Sequence, residues 1–142
     1  MDAEFRFDVE IPVRYRDLDT LGHVNNAVYA TYLEQARAAY VDRVLGMDLE
    51  DGGIVLASLE IDFRRPVDAA VGSIRVGCGA VSVGDSSFRM GYRVHGDDDG
   101  GGDGDEPAAT AESVQVAWDG TSSRSLPAAW RESLRAFEPG LS

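Results

Sequence analysis

Apolar and polar positions alternate along residues 5–13, where Phe5, Phe7, Val9, Ile11 and Val13 are separated by Arg6, Asp8, Glu10 and Pro12. A period of two predicts a half-buried strand, and Pro12, which has no N–H for a ladder bond, places it at an edge or a bend. Over 26–45 the period changes. Tyr29, Leu33, Ala36, Tyr40 and Val44 recur at spacings of three and four, one face of an amphipathic helix. Asn25 or Asn26 caps its start and Gly46 stops it. That face carries Ala and Tyr rather than Leu, which predicts a close neighbour such as a curved sheet.

Four more strands follow. The first covers 53–64, with Leu59, Ile61 and Phe63 alternating against Glu60, Asp62 and Arg64 before Pro66 ends it. The second covers 71–83, where Gly72, Gly77 and Gly79 predict bulges or close backbone approach. A tight Gly84-Asp85 turn leads into a third over 87–95, and the last covers 108–118. A short helix or extension is expected over 127–137. Residues 96–106 are almost entirely Gly and Asp, which cannot pack a core, and are expected to form a flexible acidic hairpin insertion. Their spacing does not fit an EF-hand calcium loop. The order of strand, long helix and four antiparallel strands is an α+β arrangement, expected as a single domain over 1–142. One helix covers one face of such a sheet, so the other is either solvated or met by another subunit, and a homodimer or homotetramer is expected.

Charge and composition narrow the function. The chain has 25 acidic and 13 basic residues, every basic one arginine, for a formal charge of −12. That balance argues against nucleic acid or an anionic membrane as partner. At molar salt the self-repulsion is screened, because the Debye length falls to about 3 Å, so the composition fits a halophilic source or an acidic protein of a GC-rich genome. No run of 18 apolar residues is present, residues 1–9 lack a basic leader, and Cys78 alone cannot form an intramolecular disulfide; a cytoplasmic location is expected.

The densest chemistry is Tyr15-Arg16-Asp17-Leu18-Asp19-Thr20-Leu21-Gly22-His23-Val24-Asn25-Asn26, just before the long helix. A helix start offers free N–H groups and the positive end of the macrodipole. Asp19 is placed to attack an electrophile or deprotonate water, or it serves as a turn aspartate. His23 either orients substrate or water or bonds the backbone near the turn. Gly22 permits a positive φ or close approach of substrate. Tyr15 either faces the site or packs. Glu34 is best read as pairing with Arg37 or lying in solvent. Arg64 and Arg65, adjacent at a strand end, either bind phosphate or balance neighbouring acids. There is no nucleophile elbow, P-loop, dinucleotide fingerprint or metal-spaced His/Cys cluster, and neither a metal nor a redox cofactor is expected.

The run Asp17-x-Asp19-x-x-Gly22-His23-Val24-Asn25-Asn26-x-x-Tyr29, with Tyr32-Leu33-Glu34-Gln35-Ala36-Arg37, resembles the hotdog-fold acyl-CoA thioesterases of the 4-hydroxybenzoyl-CoA thioesterase family. Ile61-Asp62-Phe63-Arg64-Arg65-Pro66-Val67 and Leu126-Pro127 extend the resemblance over most of the chain. It implies a long central helix wrapped by a five-stranded antiparallel sheet, with dimers whose active sites lie at the subunit interface. It implies that Asp19 is the catalytic carboxylate, that Asp17 supports the loop, and that backbone N–H groups near Asn26 bind the thioester oxygen. By this reading Asp19, Asn26 and His23 form the catalytic set, and Tyr15, Gly22, Asn25, Arg64 and Arg65 contact an acyl-CoA substrate. Some relatives carry histidine where this chain has Asn26, so no imidazole follows the glycine at that distance here. Another hotdog lineage uses a helix glutamate, which draws notice to Glu34. The rival readings are a dehydratase or hydratase on the same fold and a non-catalytic acyl-thioester binder.

Overall fold

The structure is a computed structural model that describes residues 5–48, 52–96 and 106–141. Strand β1 (Phe7–Pro12) is followed by a short helical turn over Tyr15–Asp17 and another over Asn26–Val28. The second turn runs into α1 (Tyr29–Leu45); then come β2 (Ile54–Phe63), β3 (Ser73–Val83), β4 (Ser87–Gly96), β5 (Ala109–Ala117) and α2 (Ala128–Phe137). All five strands pair antiparallel in one sheet of order β1-β3-β4-β5-β2. This is the hotdog arrangement that the resemblance implies. β1, with Pro12 at its end, is one edge and β2 is the other. The expected insertion falls mostly on 97–105, outside the described residues.

Each element follows from its residues, with two differences. The helix face reads largely as expected: Tyr29, Leu33, Ala36 and Tyr40 are buried, and Gly46 ends α1 in the left-handed conformation at φ 69°. Tyr32, Arg37 and Val41 are buried too, while Val44 is only half-buried. Of the two readings of Glu34, pairing with Arg37 or lying in solvent, the second holds. Arg37 turns inward to the hydroxyl of Tyr92 on β4, and Glu34 stays exposed.

The helix lies across β1 and β3 and reaches β4 through Arg37. Ile74, Val76 and Cys78 of β3 and Phe88, Met90 and Val94 of β4 are buried. The glycines of β3 mark close approach: Phe5 lies over Gly77 and Gly79, and a Cβ on Gly79 would meet Glu138 Oε2 at 2.6 Å. The register shifts between Ala80 and Ser82 and again between Leu56 and Ser58. Cover thins toward β2. Leu59 and Ile61 are half-buried and Phe63 is 42% exposed, although its ring meets Tyr29 edge-on at 5.2 Å.

Candidate active site

The segment between β1 and α1 is a small hairpin. The Asn25 amide donates to Asp17 O at 2.8 Å, Leu18 bridges Val24, and the Asp19 amide donates to His23 O at 2.8 Å. Gly22, at φ 79°, closes the tip by donating to Asp19 O, so the positive φ expected there is required by the turn. A second strip of chain ties the hairpin down: Val24 donates to Val67 O, and His23 bridges Asp68.

Asp17 anchors this hairpin from beneath. It is 1% exposed, and its carboxylate accepts from the Arg14 amide at 2.9 Å, the Arg14 guanidinium at 2.9 Å and the Tyr32 hydroxyl at 2.7 Å. Burial raises its carboxyl; the Arg14 and Tyr32 bonds outweigh that and hold it below the ordinary carboxylate value. Burial, and then the bond to Asp17, raises the Tyr32 hydroxyl.

Asp19 is the opposite case. It is exposed, and its Oδ1 accepts from the Leu21 amide at 2.9 Å and the His23 amide at 3.1 Å, while no described protein group bonds Oδ2. The His23 amide bond, opposed by slight desolvation and helped by the Leu21 amide, lowers its carboxyl, so it stands ionised at neutral pH. The turn reading of Asp19 is therefore realised in one oxygen and the other is left open. The His23 ring is near enough to Asp19 to lower its carboxyl further.

Four amides open the helix. Asn25 donates to Asp17 O, Ala27 donates to Asn25 Oδ1 at 2.9 Å, and Val28 donates to Asn25 O at 2.9 Å. The Asn26 amide has no acceptor among the described residues. Asn25 is thus the cap and Asn26 the unclaimed donor. Asn25→Ala is expected to cost about 1 kcal/mol through loss of that cap, read as a small fall in Tm.

The remaining candidates are spread around this centre. Tyr15 is 91% exposed on the first helical turn rather than packed. Arg64 pairs with Asp62 at 3.1 Å on the surface, so it partly balances a neighbouring acid. Arg65 donates to Glu106 O at 3.0 Å and is close enough to Tyr29, at the helix start, to lower its hydroxyl against the larger effect of burial. A cleft of about 710 Å³ is lined by Glu60, Ile61, Asp62, Thr110, Ala111 and Glu112, whose carboxylates repel an anionic ligand. Among the described residues no group of three His, Cys, Asp or Glu is placed to hold a metal, and no helix is long and apolar enough to cross a membrane. Cys78 is buried, and its thiol is pushed up to about 12 by desolvation, which makes it a packing residue rather than a nucleophile.

A long helix held against a five-stranded sheet, with a carboxylate-bearing hairpin at its start, defines the hotdog class. Comparison with known proteins then places the chain within it. Residues 13–137 match the thioesterase-like superfamily, and the chain belongs to that family. A thioesterase of Thermus thermophilus, solved in complex with coenzyme A and Zn, is 40% identical; the alignment covers 96% of each chain at a TM-score of 0.84. The PA2801 protein of Pseudomonas aeruginosa is 32% identical over 91% of this chain and 95% of its own, at a TM-score of 0.76. The chloroplastic acyl-acyl carrier protein thioesterase ATL2 of Arabidopsis thaliana is 34% identical over 65 residues, 42% of this chain. The match spans about a third, 34%, of that curated relative's length.

Proposed function

We propose that this protein is an acyl-CoA thioesterase of the 4-hydroxybenzoyl-CoA thioesterase type. The observation that carries the reading is an ionised Asp19 whose Oδ2 accepts no bond, together with a helix start whose Asn26 amide has no acceptor, both among the described residues. Water and the thioester give a carboxylate, the free thiol of coenzyme A and a proton. Asp19 either attacks the carbonyl carbon through Oδ2, forming a mixed anhydride that water then opens, or takes the proton of an attacking water. The Asn26 amide receives the carbonyl oxygen as it becomes an oxyanion, a contact worth about 3 kcal/mol where such donors have been removed. His23 orients substrate or water beside Asp19, and Gly22 and Asn25 shape the approach. Tyr15, exposed two residues before Asp17, contacts the incoming substrate. Arg64 and Arg65 supply local positive charge for the phosphates of coenzyme A in an otherwise acidic protein. Release of Arg64 from Asp62 is part of that role.

Assembly as a homodimer or homotetramer is part of the same reading. β2 is an edge strand that exposes Val55, Leu56 and Phe63, and Tyr15 and Leu21 stand exposed beside the site. A second copy would cover both.

The test is thiol release from a panel of acyl-CoA esters and acyl carrier protein thioesters, aromatic and aliphatic. Release of thiol with a preferred acyl-CoA is the expected result. Tight binding without release would replace the hydrolase by an acyl-thioester binder, and preference for the carrier protein would move the substrate class to that of ATL2.

A further inference from the structure

Just before the hairpin that carries Asp19 stands a charge with no bond in the fold. Arg16 lies on the helical turn over Tyr15–Asp17, is exposed, and makes no hydrogen bond, ion pair or ring contact with any described residue. The chain has 25 acidic residues against 13 arginines, so a shortage of carboxylates does not leave it single. Arg75 on β3 and Arg135 on α2 are unpaired in the same way, but they lie outside the segment that builds the site. Arg64 and Arg65 are engaged, the first by Asp62 at 3.1 Å and the second by Glu106 O at 3.0 Å.

The outward aim of Arg16 follows from Asp17. Three residues complete one turn of a 3₁₀ helix, so successive side chains point about 120° apart. Asp17 is fixed inward by the Tyr32 hydroxyl at 2.7 Å and the Arg14 amide at 2.9 Å. Tyr15 and Arg16 are thereby turned to solvent, and Tyr15 is 91% exposed. The turn itself is held by the Asp17 amide on Arg14 O at 2.9 Å and the Leu18 amide on Tyr15 O at 3.2 Å, so ring and guanidinium leave a fixed piece of main chain. Three residues of chain, at most about 11 Å, separate Arg16 from Asp19. A ligand that reaches both has an electrophile at one end and an anion an arm's length away.

The neighbouring ring narrows the anion. A planar guanidinium takes phosphate oxygens bidentately, and an open aromatic face takes a nucleobase by stacking. Phosphates and a base, joined by a flexible arm to a thioester, are the parts of an acyl-CoA. A carrier protein thioester has the arm but no base.

We propose that Arg16 binds a phosphate at the nucleotide end of coenzyme A and that Tyr15 stacks on its adenine. The free CoA ester is then the substrate, in preference to a carrier protein thioester. The proposal rests on the hydrolase reading, whose chemistry at Asp19 it leaves unchanged. It names an arginine that meets phosphate without giving up a protein partner, as Arg64 and Arg65 must.

The experiment measures kcat/KM for one acyl group carried on coenzyme A and on pantetheine, which keeps the arm and lacks the nucleotide. In Arg16→Gln the ratio of the two is expected to fall about fivefold or more, through a higher KM for the CoA ester, because a hydrogen bond to a charged group is lost. Arg16→Lys is expected to restore it in part. Arg135→Gln removes the same charge far from the hairpin and is expected to keep the wild-type ratio. An unchanged ratio in Arg16→Gln, or an equal fall in Arg135→Gln, overturns the proposal while the hydrolase stands. So does a wild type that turns over both esters equally well. Preference for a carrier protein thioester, lost in Arg16→Gln, moves the contact to a protein partner and overturns the nucleotide assignment. Thiol release from none of the three substrates, nor from the wider panel, removes the hydrolase reading as well. The wild-type comparison of the two esters is read even where a variant does not fold.

Discussion

Asp19→Asn is expected to lower kcat for thiol release about 100-fold or more while leaving the Tm within about 2 °C. The two observables separate because of how the carboxylate is held. Oδ1 does the structural work of accepting the Leu21 and His23 amides, and an asparagine oxygen can accept those same bonds. Oδ2 is the open atom, and its replacement by an NH₂ removes both a nucleophile and a base. Wild-type turnover is also expected to keep its acid limb low. The two amide bonds hold the Asp19 carboxyl below its ordinary value near 4, so activity survives until the pH falls through that lower value. Full activity in Asp19→Asn would reject the assignment.

Asp17→Ala is expected to act the other way, on stability first. Three donors converge on a carboxylate with almost no solvent exposure, and the Tyr32 hydroxyl and Arg14 amide would lose their acceptor. The loss is about 2–3 kcal/mol, read as a fall in Tm of about 5–10 °C. The Arg14 guanidinium is half-exposed, so its screened ion pair adds little. The contribution depends on pH with a definite sign. Because the folded carboxyl lies below its unfolded value, the stabilisation is complete above about pH 4 and is lost as pH falls through the folded value. Turnover should fall as well, since the Asp17 carbonyl holds the Asn25 amide at the base of the hairpin. Chemical denaturation at pH 7 and pH 3 checks the difference: wild type and variant should converge in acid.

Local pattern carried much of the fold and less of the site. Period-two stretches became strands, and Gly22, Asn25 and Gly46 took the backbone roles their chemistry suggests. The motif distinguished its two aspartates, but the reason they differ was not local. Asp17 is buried because Tyr32, 15 residues later, turns back to meet it. The burial of Arg37 was not legible for the same kind of reason. A cation one turn from a glutamate reads as a surface pair, whereas here its fate is set by Tyr92, 55 residues away on a strand whose place in the sheet no periodicity reveals. Strand order is also invisible to alternation: β2 and β5 pair at one side although two other strands intervene in the chain.

The donor left over at the start of α1 is main chain, and that bears on how the region tolerates divergence. Every amino acid except proline brings an N–H to position 26. A change of side chain at position 26 leaves that amide in place. A scan that trims side chains one by one would therefore pass over the role proposed for this amide.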